Sequence, residues 1–419
     1  MKPEELFGQL LGLGEHWYVR SVEYSAAPVN EVRIVIEERA SLFGQLKCAA
    51  DGAAQSCYDH GEKRVWRHLN VFQHVCYIEC RLPRVKCSKC GKVTTAIAPW
   101  EGRLPGLTLL FEAFALTLMR EMPVKAASKF LGEHDTRLWR LLKAYVDEAY
   151  KKADFSAVKV LGCDELNSRK GLNYVSVFAD MEARRVLFAT PGKNAATWDA
   201  FVQELPKHGA EAKQIKHVSI DMGNAYASGA RKHCPQATIV WDRFHVMKNI
   251  AEAMDGVRER EHRLRSREGD KALGKTMWLW RHNPEDLRPE QTAHLESLTC
   301  ANLLTAKAYQ MRLTLRDMYQ MTDSCAFRRK LLAWCRWVRM VAAKNGYAFE
   351  PMIKAANMIS TRIEGIVAFV ATKITNAYME GLMSVFSAVK RKARGYRSTD
   401  NLIAMLYFTA AKLDIPATC

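Results

Sequence analysis

The chain has 419 residues, of which 62 are lysine or arginine and 45 are aspartate or glutamate, so its formal net charge is +17. A share of 48% hydrophobic residues excludes a mainly disordered chain. Its length, well above the ~100–200 residues of one domain, predicts several domains. The basic excess indicates a polyanionic partner. Composition alone does not decide whether that partner is a nucleic acid or an acidic membrane surface.

The sequence offers no membrane-spanning segment and no export signal. Its most hydrophobic stretch, Leu104 to Leu118, is interrupted by Glu112. The first residues lack the basic start and the uninterrupted apolar core of a signal peptide. We therefore expect a cytoplasmic chain whose 12 cysteines are reduced thiols or metal ligands.

The first 100 residues predict a small β-rich module. Val32, Ile34 and Ile36 alternate with other residues at the period of a half-buried strand. Cys76 and Cys80 alternate in the same way with apolar neighbours, so we assign them to a strand face in the core. The remaining cysteines of this segment are candidates for a metal site.

Cys87 and Cys90, followed by a glycine, form the tight CxxC turn in which two thiolates bind one tetrahedral zinc ion. Bound zinc would be structural, because a module this small gains folding energy from metal binding. We predict four thiolate ligands: Cys48, Cys57, Cys87 and Cys90. Ligand identity stays open, because Asp51 stands where a CxxC turn starting at Cys48 would have its second thiol, and His60 is also in range. The alternative is four free, buried cysteines.

The pattern then becomes helical, and residues 101–153 predict a helix-turn-helix DNA-binding domain. Three helices are expected between Leu107 and Tyr150, with breaks at Pro123 and Gly132. A glycine turn followed by a basic helix is the arrangement that enters the major groove of DNA. The expected DNA-contacting residues are Arg137, Arg140 and Lys143.

Residues 154–245 predict a sheet with helices packed on it. The expected strands are Val158 to Gly162, Tyr174 to Ala179, Val186 to Thr190, Ile215 to Ile220 and Thr238 to Trp241. Helices are expected from Ala195 to Leu205 and from Asn224 to His233. A purely helical block follows over residues 246–360, and residues 361–419 end the chain as helices with a break at Gly395.

Two aspartates, Asp164 and Asp221, stand where predicted strands end, and ligand sites of open sheets gather at that edge. Phosphodiester chemistry commonly uses two divalent cations held by carboxylate oxygens. A third carboxylate must come from a helix across the sheet, either Glu380 or Glu364. We prefer Glu380, because its helix leads into a run of cations that either contacts DNA phosphates or is merely solvated. That run comprises Lys390, Arg391, Lys392, Arg394 and Arg397.

With these residues in place, the sequence resembles bacterial insertion-sequence transposases of the ISL-three family. The resemblance spans nearly the whole chain and rests on six motifs in the family's order. They are Val-Trp66-Arg-His-Leu with Arg81-Leu-Pro-Arg-Val-Lys-Cys87, Gly162-Cys-Asp164-Glu, Ile220-Asp221-Met, Trp241-Asp-Arg-Phe-His245-Val, Leu279-Trp-Arg-His-Asn-Pro-Glu-Asp-Leu, and Met379-Glu380-Gly-Leu ending in Arg394-Gly-Tyr-Arg397.

The resemblance implies a multidomain α/β chain, in which a β-rich zinc module and a helix-turn-helix precede an RNase H-like mixed sheet with a large all-helical insertion. It makes Asp164, Asp221 and Glu380 the ligands of two Mg²⁺ or Mn²⁺ ions. His245, which with Asp242 matches a recurring aspartate-histidine pair of the family, would orient the site or the DNA strand; the alternative is a helix-start histidine that is hydrogen-bonded locally. The first part of the catalytic core would then be residues 154–245, and its C-terminal helices residues 361–419.

The implied function is that of a DDE-type DNA transposase. It would bind double-stranded DNA at the terminal inverted repeats of its element, cleave there and join the freed ends to target DNA. We expect a homodimer or larger oligomer on DNA, associated with the bacterial nucleoid. Two rivals stay open: an inactive transposase-derived regulator that only binds DNA, and a metal-dependent nuclease that cuts without joining. The collected carboxylates argue against the first, because a pure binder has no need of them.

Overall fold

The computed structural model describes residues 2–26, 30–48, 52–169, 173–221, 224–301 and 303–415. The chain is a mixed α/β protein that divides into two compact units. The amino-terminal unit comprises Met1–Tyr150, Lys392–Arg394 and Leu413–Cys419. The carboxyl-terminal unit comprises Lys151–Arg391 and Gly395–Lys412.

A five-stranded mixed sheet forms the first part of the amino-terminal unit. After helix α1 (Pro3–Leu10), its strands are β1 (Trp17–Ser25), β2 (Glu31–Glu38), β3 (Asp59–Val71), β4 (His74–Lys86) and β5 (Val93–Thr95). The order is β1-β2-β4-β3, with β5 also paired to β4, and only β2 and β4 run parallel. As predicted, Val32, Ile34 and Ile36 point into the core, and so do Cys76 and Cys80.

Three helices follow the sheet in this unit: α2 (Leu109–Glu121), α3 (Val124–Leu131) and α4 (Asp135–Lys151). They confirm the predicted helices and both breaks. Thr108 caps α2 by accepting a hydrogen bond from Phe111 N, and Gly132 ends α3 with a left-handed φ of 68°, where a glycine is favoured.

A second mixed sheet of five strands forms the centre of the carboxyl-terminal unit. Its strands are β6 (Val160–Arg169), β7 (Asn173–Asp180), β8 (Arg185–Pro191), β9 (His217–Ile220) and β10 (Thr238–Trp241). The order is β10-β9-β6-β7-β8, with β10, β9 and β6 parallel and the other two pairs antiparallel. All five predicted strands are present. Helices α5 (Ala195–Glu204) and α6 (Asn224–His233) also match the predicted segments.

A helical block follows β10, as predicted. Its helices are α7 (Arg243–Arg267), α8 (Met277–Arg281), α9 (Pro289–Cys300), α10 (Leu304–Met318), α11 (Ser324–Asn345), α12 (Glu350–Thr361) and α13 (Ile363–Thr372). The chain ends with α14 (Ala377–Lys392) and α15 (Thr399–Ala410). No helix within the described ranges is long and apolar enough to cross a membrane.

In the amino-terminal unit, the sequence motif around Trp66 joins the sheet to the helices. The Trp66 ring packs in the sheet core, with its centroid 5.8 Å from that of Trp100. Arg67 is buried and donates a 3.2 Å hydrogen bond to the carbonyl of Leu131, at the end of α3. His68 Nδ1 lies 3.0 Å from Thr108 Oγ1, at the start of α2. Two consecutive residues of β3, Arg67 and His68, therefore anchor two helices to the sheet, while Trp66 packs in the sheet core.

His68 makes the stability of this unit depend on pH. Burial, together with the neighbouring Arg67 guanidinium, lowers the pKa of His68 to about 4 from its usual 6.5. Below about pH 6.5 the unfolded chain binds a proton that the folded chain excludes. The contribution of neutral His68 to the free energy of unfolding is therefore fully present above that pH, and up to about 3 kcal/mol of it is lost as the pH falls towards 4. Urea unfolding of the full chain at a series of pH values measures this loss.

The variant His68→Asn keeps a polar group near Thr108 and removes the titration. Its unfolding free energy should therefore fall by about 3 kcal/mol less than the parent's between about pH 6.5 and pH 4. His134→Asn is the matched control, because its side chain is 84% exposed on the same unit. The same pH dependence in His68→Asn as in the parent would contradict the expectation.

Candidate functional site

The parallel pairing of β6 with β9 sets the centre of the candidate catalytic site. Cys163 pairs with Ile220 in this ladder. Asp164 and Asp221 each follow that pair by one residue, so they lie side by side where the parallel ladder ends. The expectation that Asp164 ends its strand is wrong, because β6 continues to Arg169 through antiparallel pairing with β7, in which Asp164 pairs with Val177. The site therefore lies at the carboxyl edge of parallel strands, where open sheets bind their ligands.

Helix α14 brings a third carboxylate to this edge. Gly162 lies on the same face of β6 as Asp164, and a Cβ atom there would be 2.8 Å from the Met379 side chain. Met379 is fully buried, and Glu380 follows it with a side chain that is 42% exposed. The close approach that Gly162 allows seats the first turn of α14 against the sheet beside Asp164.

The neighbouring carboxylates affect the pKa of Asp164. The pKa of Asp164 is raised to about 7, mainly by burial and further by three neighbouring carboxylates, the first of which is Asp221. The other two carboxylates are those of Glu165 and Glu380. A 2.7 Å hydrogen bond from Glu165 N to Asp164 lowers the pKa of Asp164 and partly offsets these effects. Burial and Asp221 also raise the pKa of Glu165. The site collects negative charge that a bound cation would compensate.

A second group of potential ligands shares Glu380. Ligand atoms of Asp242, His245 and Glu380 lie within 4.8 Å of one another. His245 Nδ1 is 4.0 Å from Glu380 Oε1 and is buried, with no hydrogen-bond partner among the described residues. The structure thus places the aspartate-histidine pair of the sequence motif beside the third carboxylate.

Asp242 connects the two helices that carry His245 and Glu380. One carboxylate oxygen accepts a 2.6 Å hydrogen bond from Phe244 N and so caps α7. The other accepts a 2.5 Å bond from Asn376 N, directly before α14. The Asn376 carbonyl in turn accepts from Glu380 N at 3.0 Å. A buried carboxylate therefore fixes the starts of both helices.

Asn376 extends this connection to β9. Its side-chain oxygen accepts a 3.4 Å hydrogen bond from Ser219, two residues before Asp221, and both side chains are fully buried. Sequence reasoning selected neither residue. An asparagine directly before a helix is a frequent capping residue, and this signal could have identified Asn376. The contact with Ser219 has no local sequence signal.

The competing carboxylate, Glu364, lies elsewhere. Its two oxygens accept hydrogen bonds of 2.6 and 2.7 Å from Arg328, and its side chain is 71% exposed. The structure therefore places Glu380, and not Glu364, beside Asp164. Carboxylate oxygens such as these are the hard ligands that suit Mg²⁺ or Mn²⁺.

Three of the predicted thiolates form a candidate zinc site in the amino-terminal unit. The sulfur atoms of Cys48, Cys87 and Cys90 lie within 4.8 Å of one another, with 3.7 Å between Cys48 Sγ and Cys90 Sγ. Two sulfurs at the ~2.3 Å bond length of tetrahedral zinc would be about 3.8 Å apart. The arrangement therefore fits zinc.

The fourth predicted ligand, Cys57, lies apart from these three, and its thiol donates to the carbonyl of Asp59 at 3.5 Å. His60, the other candidate, pairs with Glu38 at 2.5 Å. Asp51 lies outside the described residues. Cys57 stands nine residues after Cys48. This spacing alone did not show that the Cys57 thiol lies apart from the other three.

The loops at Cys48 and Cys87 make the same backbone hydrogen bonds. Cys48 N donates to Ala53 O and Gly52 N to Cys48 O, each at 2.9 Å. Cys87 N donates to Lys92 O and Gly91 N to Cys87 O, also at 2.9 Å. The two turns are therefore related, and in sequence Asp51 holds the place in the first that Cys90 holds in the second.

The basic residues predicted to contact DNA differ in availability. Arg137 is held within its own unit, because it donates to Glu133 and to the carbonyl of Pro105, each at 3.0 Å. Arg140 is exposed on α4, and Lys143 is partly exposed. In the C-terminal run, Lys390 donates to the carbonyl of Asn167 at 2.5 Å. The other four residues are exposed: Arg391, Lys392, Arg394 and Arg397.

Comparison with known proteins gives the same three segments in the same order. Residues 161–406 match a transposase family model, the ISL3 DDE model. Residues 99–146 match the helix-turn-helix domain of transposase family ISL3, and residues 45–90 match the zinc-finger of transposases IS204, IS1001, IS1096 and IS1165. Because the first match alone covers more than half of the chain, the chain belongs to the ISL3 (ISL-three) family of transposases.

Two relatives align along nearly their whole length. The transposase for insertion sequence element IS1001 of Bordetella parapertussis is 28% identical over 395 residues, covering 93% of this chain and 94% of the relative. The transposase for insertion sequence element IS1557 of Mycobacterium tuberculosis strain H37Rv is 26% identical over 446 residues, covering 98% and 96%.

Replacing Asp242 should weaken metal binding without removing any carboxylate of the predicted triad. In Asp242→Asn the amide nitrogen cannot accept a hydrogen bond, so α7 or α14 loses its anchor and Glu380 its position. We expect Mn²⁺ affinity to fall about tenfold to hundredfold, as for other residues that orient metal ligands. Mn²⁺ titration followed by electron paramagnetic resonance measures the change.

Asp323→Asn is the matched control, because Asp323 caps α11 in the same way, by accepting from Cys325 N and Ala326 N. That variant should bind Mn²⁺ like the parent. Equal losses in both variants, or no loss in Asp242→Asn, would refute the positioning role.

The zinc site makes a prediction that separates its cysteines. Purified parent protein should contain about one zinc per chain, and Cys87→Ser should lose it, because a hydroxyl is a poor substitute for a thiolate. Cys57→Ser should retain it, since Cys57 lies apart from the three thiolates. Elemental analysis reports both; zinc loss in Cys57→Ser would show that Cys57 is a ligand.

Proposed function

We propose that the chain is a DDE-type DNA transposase that cleaves DNA at the ends of its insertion sequence and joins those ends to target DNA. The observation that carries this proposal is the convergence of Asp164, Asp221 and Glu380 at one edge of the second sheet. Family membership supports DNA as the substrate, and the terminal inverted repeats of the element are the proposed specific sites.

An RNase H-like core is proposed for the second sheet. In chain order its strands lie 3-2-1-4-5, the first three antiparallel and the last two added in parallel. The order supports the proposed boundaries of a core over residues 154–245 and 361–419, interrupted by a helical insertion over residues 246–360. Residues 1–100 and 101–153 are proposed as the zinc module and the helix-turn-helix.

Two Mg²⁺ or Mn²⁺ ions, held by Asp164, Asp221 and Glu380, would supply Lewis-acid stabilisation of the attacking and leaving oxygens. The chain supplies the framework: Asp242 and Asn376 hold the helices, and His245 stands beside Glu380, where it can orient that carboxylate or a DNA strand. Within the zinc module, Cys48, Cys87 and Cys90 would hold a structural zinc ion.

The proposed reaction needs no covalent protein intermediate. Hydrolysis at the element's end breaks a phosphorus–oxygen bond and leaves a free 3′-hydroxyl. That hydroxyl then attacks a target phosphodiester in line, forming one phosphorus–oxygen bond and releasing the target's own 3′-hydroxyl. Because two ends must be processed together, we propose that the chain acts as a homodimer or larger oligomer on DNA.

The carboxylates also weigh against one of the two rivals. An inactive DNA-binding regulator gains nothing from a buried Asp164 surrounded by like charges, which costs folding energy. A nuclease that cuts without joining shares the same site. Labelled end DNA incubated with a target plasmid and Mg²⁺ separates it from a transposase, because only a transposase yields a joined product.

Asp164→Asn should lower cleavage of labelled end DNA by about three orders of magnitude or more, because a neutral amide binds divalent cations far less well. Its dissociation constant for the same DNA without divalent cations should stay within about threefold of the parent's, because the helix-turn-helix, and not Asp164, is proposed to contact the DNA in that assay. Gel-shift and cleavage assays measure the two quantities.

Glu380→Gln and Glu364→Gln form the matched pair for the third carboxylate. The first should lose cleavage like Asp164→Asn, whereas the second only breaks an exposed ion pair with Arg328 and should cleave like the parent. Undiminished cleavage by Asp164→Asn in Mg²⁺ would overturn the proposed site.

A further inference from the structure

Helix α11, in the helical block, carries an unbalanced charge. Its 22 residues, Ser324–Asn345, include six cations and no aspartate or glutamate. Helix α7 of the same block mixes seven cations with four acidic residues. A solvated helix face usually carries both signs, because paired charges stabilise the helix. The charges of α11 are therefore not neutralised within the helix, and any anionic partner must lie outside it.

Two of the six cations have partners within the unit. Arg328 forms the ion pair with Glu364, and Arg339 donates to Asn357 and Ser360 at 3.2 and 2.8 Å. The other four are exposed, and among the described residues none has a carboxylate within 4 Å. These four form what we term the α11 basic face: Arg329, Lys330, Arg336 and Lys344.

The four residues form a continuous stripe. At 100° per residue they fall within an arc of about 120°, and at 1.5 Å per residue they extend over about 22 Å. Met340, in the middle of that arc, is 62% exposed. The opposite side of the helix is buried and fixes its orientation through six residues: Phe327, Leu331, Trp334, Cys335, Val338 and Ala342.

The amino-terminal end of α11 lies near the candidate catalytic site. The ring of Phe327 is 5.3 Å from that of Tyr319, and the Arg243 guanidinium lies 5.3 Å above the Tyr319 ring. Arg243 directly follows Asp242. One aromatic layer therefore separates the start of this helix from the residue that positions Glu380 and His245.

We infer that the α11 basic face binds the phosphate backbone of double-stranded DNA. A span of about 22 Å covers about six phosphates of one strand at 3.4 Å each, enough for four side chains to reach separate phosphates. Four unpaired cations on one face repel one another, and a polyanion relieves this repulsion. The inference rests on the proposed function only in taking DNA as the substrate.

Replacing the four residues together by glutamine tests the inference in the full-length protein: Arg329→Gln, Lys330→Gln, Arg336→Gln and Lys344→Gln. The control variant removes four exposed cations that pair with carboxylates on the same unit: Lys207→Gln, Lys213→Gln, Lys232→Gln and Arg263→Gln. Both variants lower the net charge equally, so any difference between them reports local contacts. Thermal melting checks that both fold.

The readout is the affinity for a mixed-sequence DNA duplex, without divalent cations, over a series of salt concentrations. If all four cations contact phosphates, the slope of log affinity against log salt should become shallower by about three to four in the α11 variant, and by less than about one in the control. At about 0.1 M salt the α11 variant should bind at least about tenfold more weakly.

A photoreactive residue placed at Met340 gives an independent readout. It should crosslink to the labelled duplex, whereas the same residue at Leu264, 45% exposed on α7, should not. Equal salt slopes for the two variants, or crosslinking at neither position, would overturn the inference. So would parent-like DNA binding combined with a loss of binding to phosphatidylserine vesicles, which would assign the face to lipid.

Failure of this inference is distinguishable from failure of the proposed function. A parent protein that binds DNA but neither cleaves nor joins it in Mg²⁺ would refute the proposed function and leave the salt slopes interpretable. Conversely, an α11 variant that binds DNA like the control would refute the inference while cleavage by the parent stood.

Discussion

The candidate catalytic site depends on one constraint: carboxylates that repel one another must be held together by the structure around them. The parallel pairing of β6 and β9 places Asp164 beside Asp221 through backbone hydrogen bonds. Helix α14 adds Glu380, and the buried carboxylate of Asp242 fastens that helix to the start of α7. Part of the cost appears as the raised pKa of Asp164, because burial and the neighbouring carboxylates disfavour its ionised form. A cation bound at this edge would remove the repulsion.

In the amino-terminal unit, buried polar side chains of β3 join the sheet to the helices. Trp66 belongs to the sheet core, while Arg67 and His68 use polar groups to hold the ends of α3 and α2. Both polar side chains are buried, so each contact also carries a desolvation cost that shows in the lowered pKa of His68. Three thiolates that fit zinc would add a further link between two turns of the module. The motif around Trp66 therefore has a structural role in this unit.

Local patterns predicted most of the fold. Alternation identified β2, glycine and proline located the breaks around α3, and the five strands of the second sheet followed from short β-rich runs between helical segments. The two candidate aspartates were selected because predicted strands end beside them. This holds for Asp221 after β9, whereas Asp164 lies inside β6, whose pairing with β7 continues to Arg169. What sequence could not supply were contacts between distant residues. The hydrogen bond from Asn376 N to Asp242 spans 134 residues, and the capture of Arg137 by the Pro105 carbonyl spans 32. Likewise, the position of Cys57 relative to the other thiols depends on how the β-strands between them pair.

The distribution of charge gives the net excess a structural meaning. Many cations of the carboxyl-terminal unit are paired, as Lys207, Lys213 and Lys232 are with nearby carboxylates. Such pairs add little stability on a surface and leave no net field for a polyanion. The unpaired face of α11 is different, because its rigid helix is anchored by a buried side and its charges have no neutralising neighbour in the described chain. An excess of +17 is therefore less informative as a total than as the location of the cations that the protein itself does not neutralise. For an enzyme that would gather carboxylates at its centre, a nearby cationic face also offsets the repulsion between that centre and an approaching DNA strand.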